Sequence, residues 1–210
     1  MVQKYNVAII PPEAVRERAI EMSEWIAAEG SRFVLDDENP YPHISLYHVA
    51  LDVDRVPLVI TALTAGLESV RPFFLRQGPY RAVEDEWIDV SYDRYEDVMR
   101  LHTAVIEAVG DLRANQGTEK DREDFASLSE NQRGSLLRTG WTEAFERYVP
   151  HLTFSRLNKK DAGIISKLPF EDFGFYVDRI GLYEMGEHGT CTRLVHEFSL
   201  KELSSEAENK

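Results

Sequence analysis

Two segments far apart in the chain carry one pattern, and any fold for this sequence has to satisfy both. His43-Ile44-Ser45-Leu46 and His151-Leu152-Thr153-Phe154 each alternate a polar with an apolar residue. That is the period of a β-strand, whose successive side chains point to opposite faces. His43 and Ser45 then share one face and Ile44 and Leu46 the other; His151 and Thr153 repeat the arrangement against Leu152 and Phe154. A proline precedes each histidine, Pro42 and Pro150, stiffening the entry to the strand and keeping a backbone donor out of the ladder. The apolar faces call for a core, and the polar faces set an imidazole beside a hydroxyl, twice. The histidines lie 108 residues apart, so only tertiary structure can join them, with the strands side by side or facing across a cleft.

The rest of the chain alternates strand and helix signals. Residues 5–10 read as a strand ended by Pro11-Pro12. Val15, Ala19, Met22 and Ile26 then recur at helical spacing up to a stop at Gly30. Residues 32–35 suggest a short strand, 36–40 a turn, and 43–51 the first motif strand. A second helix carries Val56, Val59, Ile60, Leu63, Leu67 and Val70. Strands are predicted over 73–83, interrupted at Gly78-Pro79, and over 87–92. A third helix carries Val98, Leu101, Val105, Val109 and Leu112 on one stripe, and all three stripes are expected to face the core. The polar segment 114–135 reads as a loop, a functional cover or disordered. A helix over 136–148 delivers the chain to the second motif strand, 151–157. After a short helix over 160–168, strands over 173–185 and 190–200 are joined by the hairpin signal Gly186-Glu187-His188-Gly189. Interspersed helices and strands predict an α+β fold with mainly antiparallel sheet. Residues 1–203 are expected to form one large or bilobal domain rather than several, and 204–210 a disordered tail.

Composition removes several classes of function. A net charge of −13 argues against a grip on long DNA or other long nucleic acid, which needs a basic face; a small anion remains possible where positive charge is gathered locally. The single cysteine, Cys191, excludes an internal disulfide and suits a reducing compartment. The apolar run at 7–10 is too short for a signal peptide, and no stretch approaches membrane-spanning length. A soluble cytoplasmic protein is expected, with no membrane partner.

The paired histidines carry the chemistry. Cleaving a phosphodiester needs a base for the attacking oxygen, an acid for the leaving oxygen and donors for the non-bridging oxygens. Two imidazoles supply the first two roles, and the hydroxyls of Ser45 and Thr153 the third; no metal or cofactor is required. Tyr47 and Ser155 share the motif faces by alternation and either line the cleft or pack. Trp87 and Tyr183 are candidates for stacking on a base, with core packing as the alternative. His48 falls at odd spacing from His43, on the opposite face, so the two are not expected to chelate one metal. His102, His188 and His196 read as structural or solvated. Arg76, Arg81, Arg156 and Lys159 offer positive charge or a solvated surface, and Arg156 alternates away from Thr153. The acidic runs at 84–86 and 121–124 read as solvated faces.

The paired His-x-Ser/Thr motifs in their apolar frames resemble the 2H phosphoesterase superfamily, which includes the 2′-5′ RNA ligase-like proteins and cyclic nucleotide phosphodiesterases. The order of elements is similar over most of residues 3–201, down to a closing hairpin over 177–183 and 194–200. The resemblance implies a bilobal fold of two mainly antiparallel sheets with pseudo-two-fold symmetry around a central cleft. It implies metal-independent hydrolysis or transesterification of a 2′,3′-cyclic phosphate or 2′-5′ linkage in a small nucleotide or short RNA. His43 and His151 become the catalytic pair by motif position, and Ser45 and Thr153 the phosphate binders; Ser45 stands where threonine is commoner and keeps the hydroxyl. Two other functions fit the same residues: RNA end joining or processing, which needs a positive path into the cleft, and a nucleotide-binding module without turnover.

Overall fold

A computed structural model of the chain describes residues 1–114 and 125–201. The tail expected over 204–210 and much of the loop expected within 114–135 lie outside the described residues. The described strands are β1 (Val2–Ile9), β2 (Ile44–Asp52), β3 (Phe73–Leu75), β4 (Gln77–Val83), β5 (Trp87–Tyr92), β6 (His151–Arg156), β7 (Phe175–Val177), β8 (Arg179–Met185) and β9 (Cys191–Ser199). The described α-helices are α1 (Glu13–Ala27), α2 (Val56–Leu67), α3 (Glu96–Val109) and α4 (Glu130–Thr139). The fold is α+β. Its main sheet is antiparallel, in the order β4-β5-β6-β2-β1-β8-β9, and β3 pairs with β7 in a small second sheet.

The two halves of the main sheet meet at the motif strands. β2 and β6 run antiparallel and pair at Ile44–Leu152, the central residues of the two His-x-Ser/Thr patterns. Both are fully buried, which turns the four flanking polar residues to the other face. The helices reinforce this symmetry by crossing over. α1 follows β1 yet packs behind β6, while α3 follows β5 yet packs behind β2 and against α2. Each motif strand is thus backed by the helix of the opposite half. The predicted stripes are what these helices bury: Val15, Ala19, Met22 and Ile26 on α1, and Val98, Leu101, Val105 and Val109 on α3. Each of the larger side chains is worth about 1.5–3 kcal/mol when removed from water.

Several local expectations are corrected. Residues 32–35 form no strand; only Ser31 bridges, to Leu157. The helix expected over 136–148 begins earlier and stops earlier. Ser129 caps α4 in a box with Gln132, and Gly140 ends it in the left-handed region at φ 78°, a conformation glycine adopts without steric cost. The signature Ser-x-x-Gln was in the sequence. A 3₁₀ turn over Phe145–Arg147 follows, and 162–167 is 3₁₀ rather than α-helix. The long strand expected over 173–185 is split into β7 and β8.

Candidate active site

Both motif strands carry an irregularity at the same place. Along β1 and β2, Val7 pairs with Tyr47 but Ala8 pairs with Ser45, leaving Leu46 as an extra residue. Along β5 and β6, Ile88 pairs with Ser155 but Asp89 pairs with Thr153, leaving Phe154 extra. A bulge of this kind shifts the alternation by one. In β2 the buried positions run Ile44, Leu46, Tyr47, Val49, Leu51; in β6 they run Leu152, Phe154, Ser155, then Leu157 just beyond the strand. The polar face therefore reads His43, Ser45, His48 on one strand and His151, Thr153, Arg156 on the other.

This overturns four face assignments made by simple alternation, and for Tyr47 and Ser155 it decides for packing over cleft lining. Tyr47 does not line the cleft: it is fully buried and its hydroxyl donates to the Thr139 carbonyl. Ser155 is turned inward as well, donating to the Phe33 carbonyl at 2.9 Å. His48, expected on the far face, lines the cleft beside Ser45. Arg156 returns to the Thr153 side, where it pairs with Glu86 at 2.6 Å and lies over the Trp87 ring at 4.7 Å. Of the two aromatic candidates, Trp87 lines the cleft; Tyr183 is buried against Tyr41 at 5.6 Å in a separate cluster with Ala8, Ile10 and Cys191.

The cleft has a volume of about 480 Å³ and is lined by His43, Ser45, His151 and Thr153 together, so the structure joins the two motifs. The histidines are held alike. Nδ1 of His43 donates to the Tyr41 carbonyl at 2.7 Å, and Nδ1 of His151 donates to the Val149 carbonyl at 2.7 Å. In each case the acceptor lies two residues back, across the proline. A neutral imidazole with its proton fixed on Nδ1 keeps Nε2 as a bare acceptor. Burial pushes His43 down to about 4; the neighbouring charge of His151 acts in the same direction, while the Tyr41 and Gly189 carbonyls oppose it. His48 is pushed down to about 3 by burial and by His43 and His151.

Positive charge in the cleft is compensated. Arg81 donates two bonds to the buried Asp89 carboxylate, at 2.7 and 2.9 Å. Arg147 donates to both oxygens of Glu143, at 3.1 and 3.2 Å. Glu84 adds a further carboxylate to the lining. Trp141 packs on His48 at one side of the cleft, with ring centres 5.0 Å apart. On the other, His188 of the β8–β9 turn sits edge-on to Trp87 at 6.0 Å. Among the described residues, no group of three or more His, Cys, Asp or Glu could hold a metal ion.

His102, read from sequence as structural or solvated, is buried behind the site. Its Nδ1 donates to the carbonyl of the bulged Leu46 at 2.8 Å, and its Nε2 accepts from the Phe145 amide at 2.9 Å. It also stacks on Tyr148 at 3.9 Å. One ring thus ties the first motif to the segment that delivers the second.

Two antiparallel motif strands at the centre of a sheet, each offering a fixed imidazole and a hydroxyl to one cleft, define a 2H phosphoesterase fold. A family model for the 2′-5′ RNA ligase superfamily matches residues 11–189, and the chain belongs to that family. Among solved structures it is similar to E. coli LigT complexed with 3′-AMP (16% identity over 96% of this chain and 100% of LigT, TM-score 0.58). It is also similar to the protein TT0787 of Thermus thermophilus (19% identity, 94% and 97% covered, TM-score 0.62). E. coli LigT has also been solved complexed with NADP+, at 15% identity, covering 95% of this chain and 98% of that one, with a TM-score of 0.59. At these identities the likeness speaks for the fold. Among curated proteins, none matches the sequence. Among the described residues no helix is long and apolar enough to cross a membrane.

Proposed function

We propose that the protein is a metal-independent phosphodiesterase acting on a small nucleotide that carries a 2′,3′-cyclic phosphate or a 2′-5′ linkage. The observation that carries this is the mirrored pair: His43 and His151, each with Nδ1 tied to the carbonyl two residues back, on one cleft. His43, held neutral by burial, accepts the proton of the attacking water or ribose hydroxyl. His151 serves as the acid, delivering a proton from Nε2 to the departing oxygen. Ser45 and Thr153 donate to the non-bridging oxygens, where negative charge grows. After turnover the protons reside on the opposite partners, so the roles exchange in the reverse direction. Localisation in the cytoplasm is part of this proposal and rests on the single cysteine.

A small substrate is favoured over RNA end joining by the charge of the cleft. Its lining arginines, Arg81 and Arg147, are each paired with a carboxylate, and Glu84 is added. A polyanion would meet no net positive path. The relatives solved with 3′-AMP and NADP+ support a nucleotide of modest size.

The test is a panel of 2′,3′-cyclic mononucleotides, 2′-5′ and 3′-5′ dinucleotides and ADP-ribose cyclic phosphate, assayed with chelator present. Turnover of a cyclic or 2′-5′ substrate is expected, with His43→Ala and His151→Ala each losing about 10²–10⁴-fold, the span of general acid–base catalysis. Activity abolished by chelator, or unchanged in either variant, rejects the proposal. Nucleotide binding by calorimetry without any product would instead favour a binding module.

A further inference from the structure

Ser45 has more partners than a hydroxyl whose task is to donate to phosphate. Its Oγ accepts from Asn6 Nδ2 at 2.8 Å and lies 3.1 Å from His48 Nε2. The orientation of the Asn6 amide is fixed by its second contact, since the same nitrogen faces the Gly189 carbonyl at 3.5 Å. Asn6 is fully buried and cannot swing away. A serine hydroxyl has one proton and two acceptor sites. Asn6 takes one acceptor site, so the remaining site and the proton are divided between His48 and the cleft.

The division has two outcomes. If His48 Nε2 is bare, it takes the Ser45 proton, and Ser45 turns a lone pair toward the phosphate. If His48 Nε2 carries hydrogen, it fills the second acceptor site, and the only direction left for the Ser45 proton is into the cleft. We infer that His48 is a positioning residue with its proton on Nε2, and that together with Asn6 it aims the Ser45 hydroxyl at a phosphoryl oxygen. An anion in the cleft favours this arrangement over the other, because it turns a donor rather than a lone pair toward negative charge. Thr153, the matching hydroxyl of the second motif, makes no side-chain hydrogen bond among the described residues and is left to rotate. Of the two phosphate donors, Ser45 is thus the one set in advance.

The setting around His48 suits this task. The bulge at Leu46 brings the ring onto the Ser45 face. Trp141 covers it, with ring centres 5.0 Å apart. On another side lies Gly189, where a Cβ would come within 3.2 Å of His48 Cε1. The ring therefore has little room to turn. Its depressed basicity, to about 3, keeps it neutral through the physiological range, so it neither competes with His43 for a proton nor carries a charge of its own. The inference rests on the proposed phosphate chemistry of the cleft but is tested without turnover.

Two measurements on the full chain decide it. In ¹H–¹⁵N spectra of the imidazoles with inorganic phosphate present, His43 and His151 are expected to carry hydrogen on Nδ1 and His48 on Nε2. A His48 protonated on Nδ1 alone overturns the inference, because Ser45 would then donate to His48. In calorimetry with inorganic phosphate, His48→Phe keeps an aromatic ring against Trp141 but removes the donor. It is expected to weaken binding about tenfold, the worth of one hydrogen bond to a charged group. His48→Gln, which restores an N–H, is expected to recover part of that loss. In a Ser45→Ala background, His48→Phe should cost nothing further. An equal loss in both backgrounds would make His48 a packing residue and overturn the inference, as would failure of the unmodified protein to bind phosphate at all. If phosphate binds and the cycle behaves as stated while no phosphodiester is cleaved, the catalytic proposal falls and the role of His48 stands.

Discussion

At the level of single residues, the proposed mechanism gives two imidazoles of identical type different tasks. His43 is partly buried and is held down to about 4, chiefly by desolvation. It accepts a proton only when neutral, so kcat/KM should climb as pH rises through about 4, well below the ordinary histidine value of about 6.5. A pH–rate profile of the free enzyme checks this; an acid limb near 6.5 would remove His43 as the base. His151 as acid makes a separate prediction. A p-nitrophenyl phosphodiester has a leaving group that departs without help. His151→Ala should therefore lose much less on that ester than on a nucleotide, whereas His43→Ala should lose comparably on both. Steady-state rates for the two variants on the two substrates separate the roles.

At the level of elements, the bulges at Leu46 and Phe154 decide which residues face the cleft. His43, Ser45, His151 and Thr153 were legible because each pattern spans only three residues, within one phase of the alternation. Tyr47, Ser155, His48 and Arg156 were misplaced because they lie beyond the bulge. A signal was present in β2: Leu46 and Tyr47 are adjacent apolar residues, and the apolar phase moves from even positions (44, 46) to odd ones (47, 49, 51). In β6 the corresponding step falls on Ser155, a polar residue buried through its bond to Phe33, and the hydropathy pattern alone hides it. The contribution of His102 was not readable at all, since it joins α3 to Leu46 and Phe145 through backbone groups far away in sequence. His102→Leu leaves the Leu46 carbonyl and the Phe145 amide without this partner and should cost about 2–4 kcal/mol in urea unfolding at pH 7. The unmodified protein has a further signature. His43, His48 and His102 are all pushed below their unfolded value of 6.5, to between about 3 and 4, so the unfolded chain binds more protons in mildly acid solution. Stability should be fully present above pH 6.5 and be lost progressively as pH falls toward 4. The slope should be shallower in His102→Leu.

At the level of the molecule, the proposed function asks how a chain of net charge −13 would attract an anion. In the proposed site the neutral donors would be the two hydroxyls, with imidazole charge that is local and temporary. The arginines that line the cleft are engaged with Asp89 and Glu143, and so fix the walls more than they supply free charge. Arg81 bonds both oxygens of a buried carboxylate, a geometry that orders β4 against β5 across the register pair Arg81–Asp89. With so little net positive potential, long-range steering is weak and substrate capture should depend only modestly on ionic strength. Glu84 tests this balance directly. It lies in the β4–β5 turn at a φ of 55°, is exposed, and lines the mouth of the cleft. Glu84→Lys exchanges one negative charge for one positive there while leaving the motif strands untouched. KM for a cyclic mononucleotide should fall by about threefold at low salt, with the gain fading as ionic strength approaches about 0.15 M, where screening acts over about 8 Å. The effect should be larger for a substrate carrying an additional phosphate. A KM that does not move, or that moves equally at all salt concentrations, would mean that the potential of the cleft does not govern capture, and the proposed preference for small substrates would then have to come from the shape of the cleft.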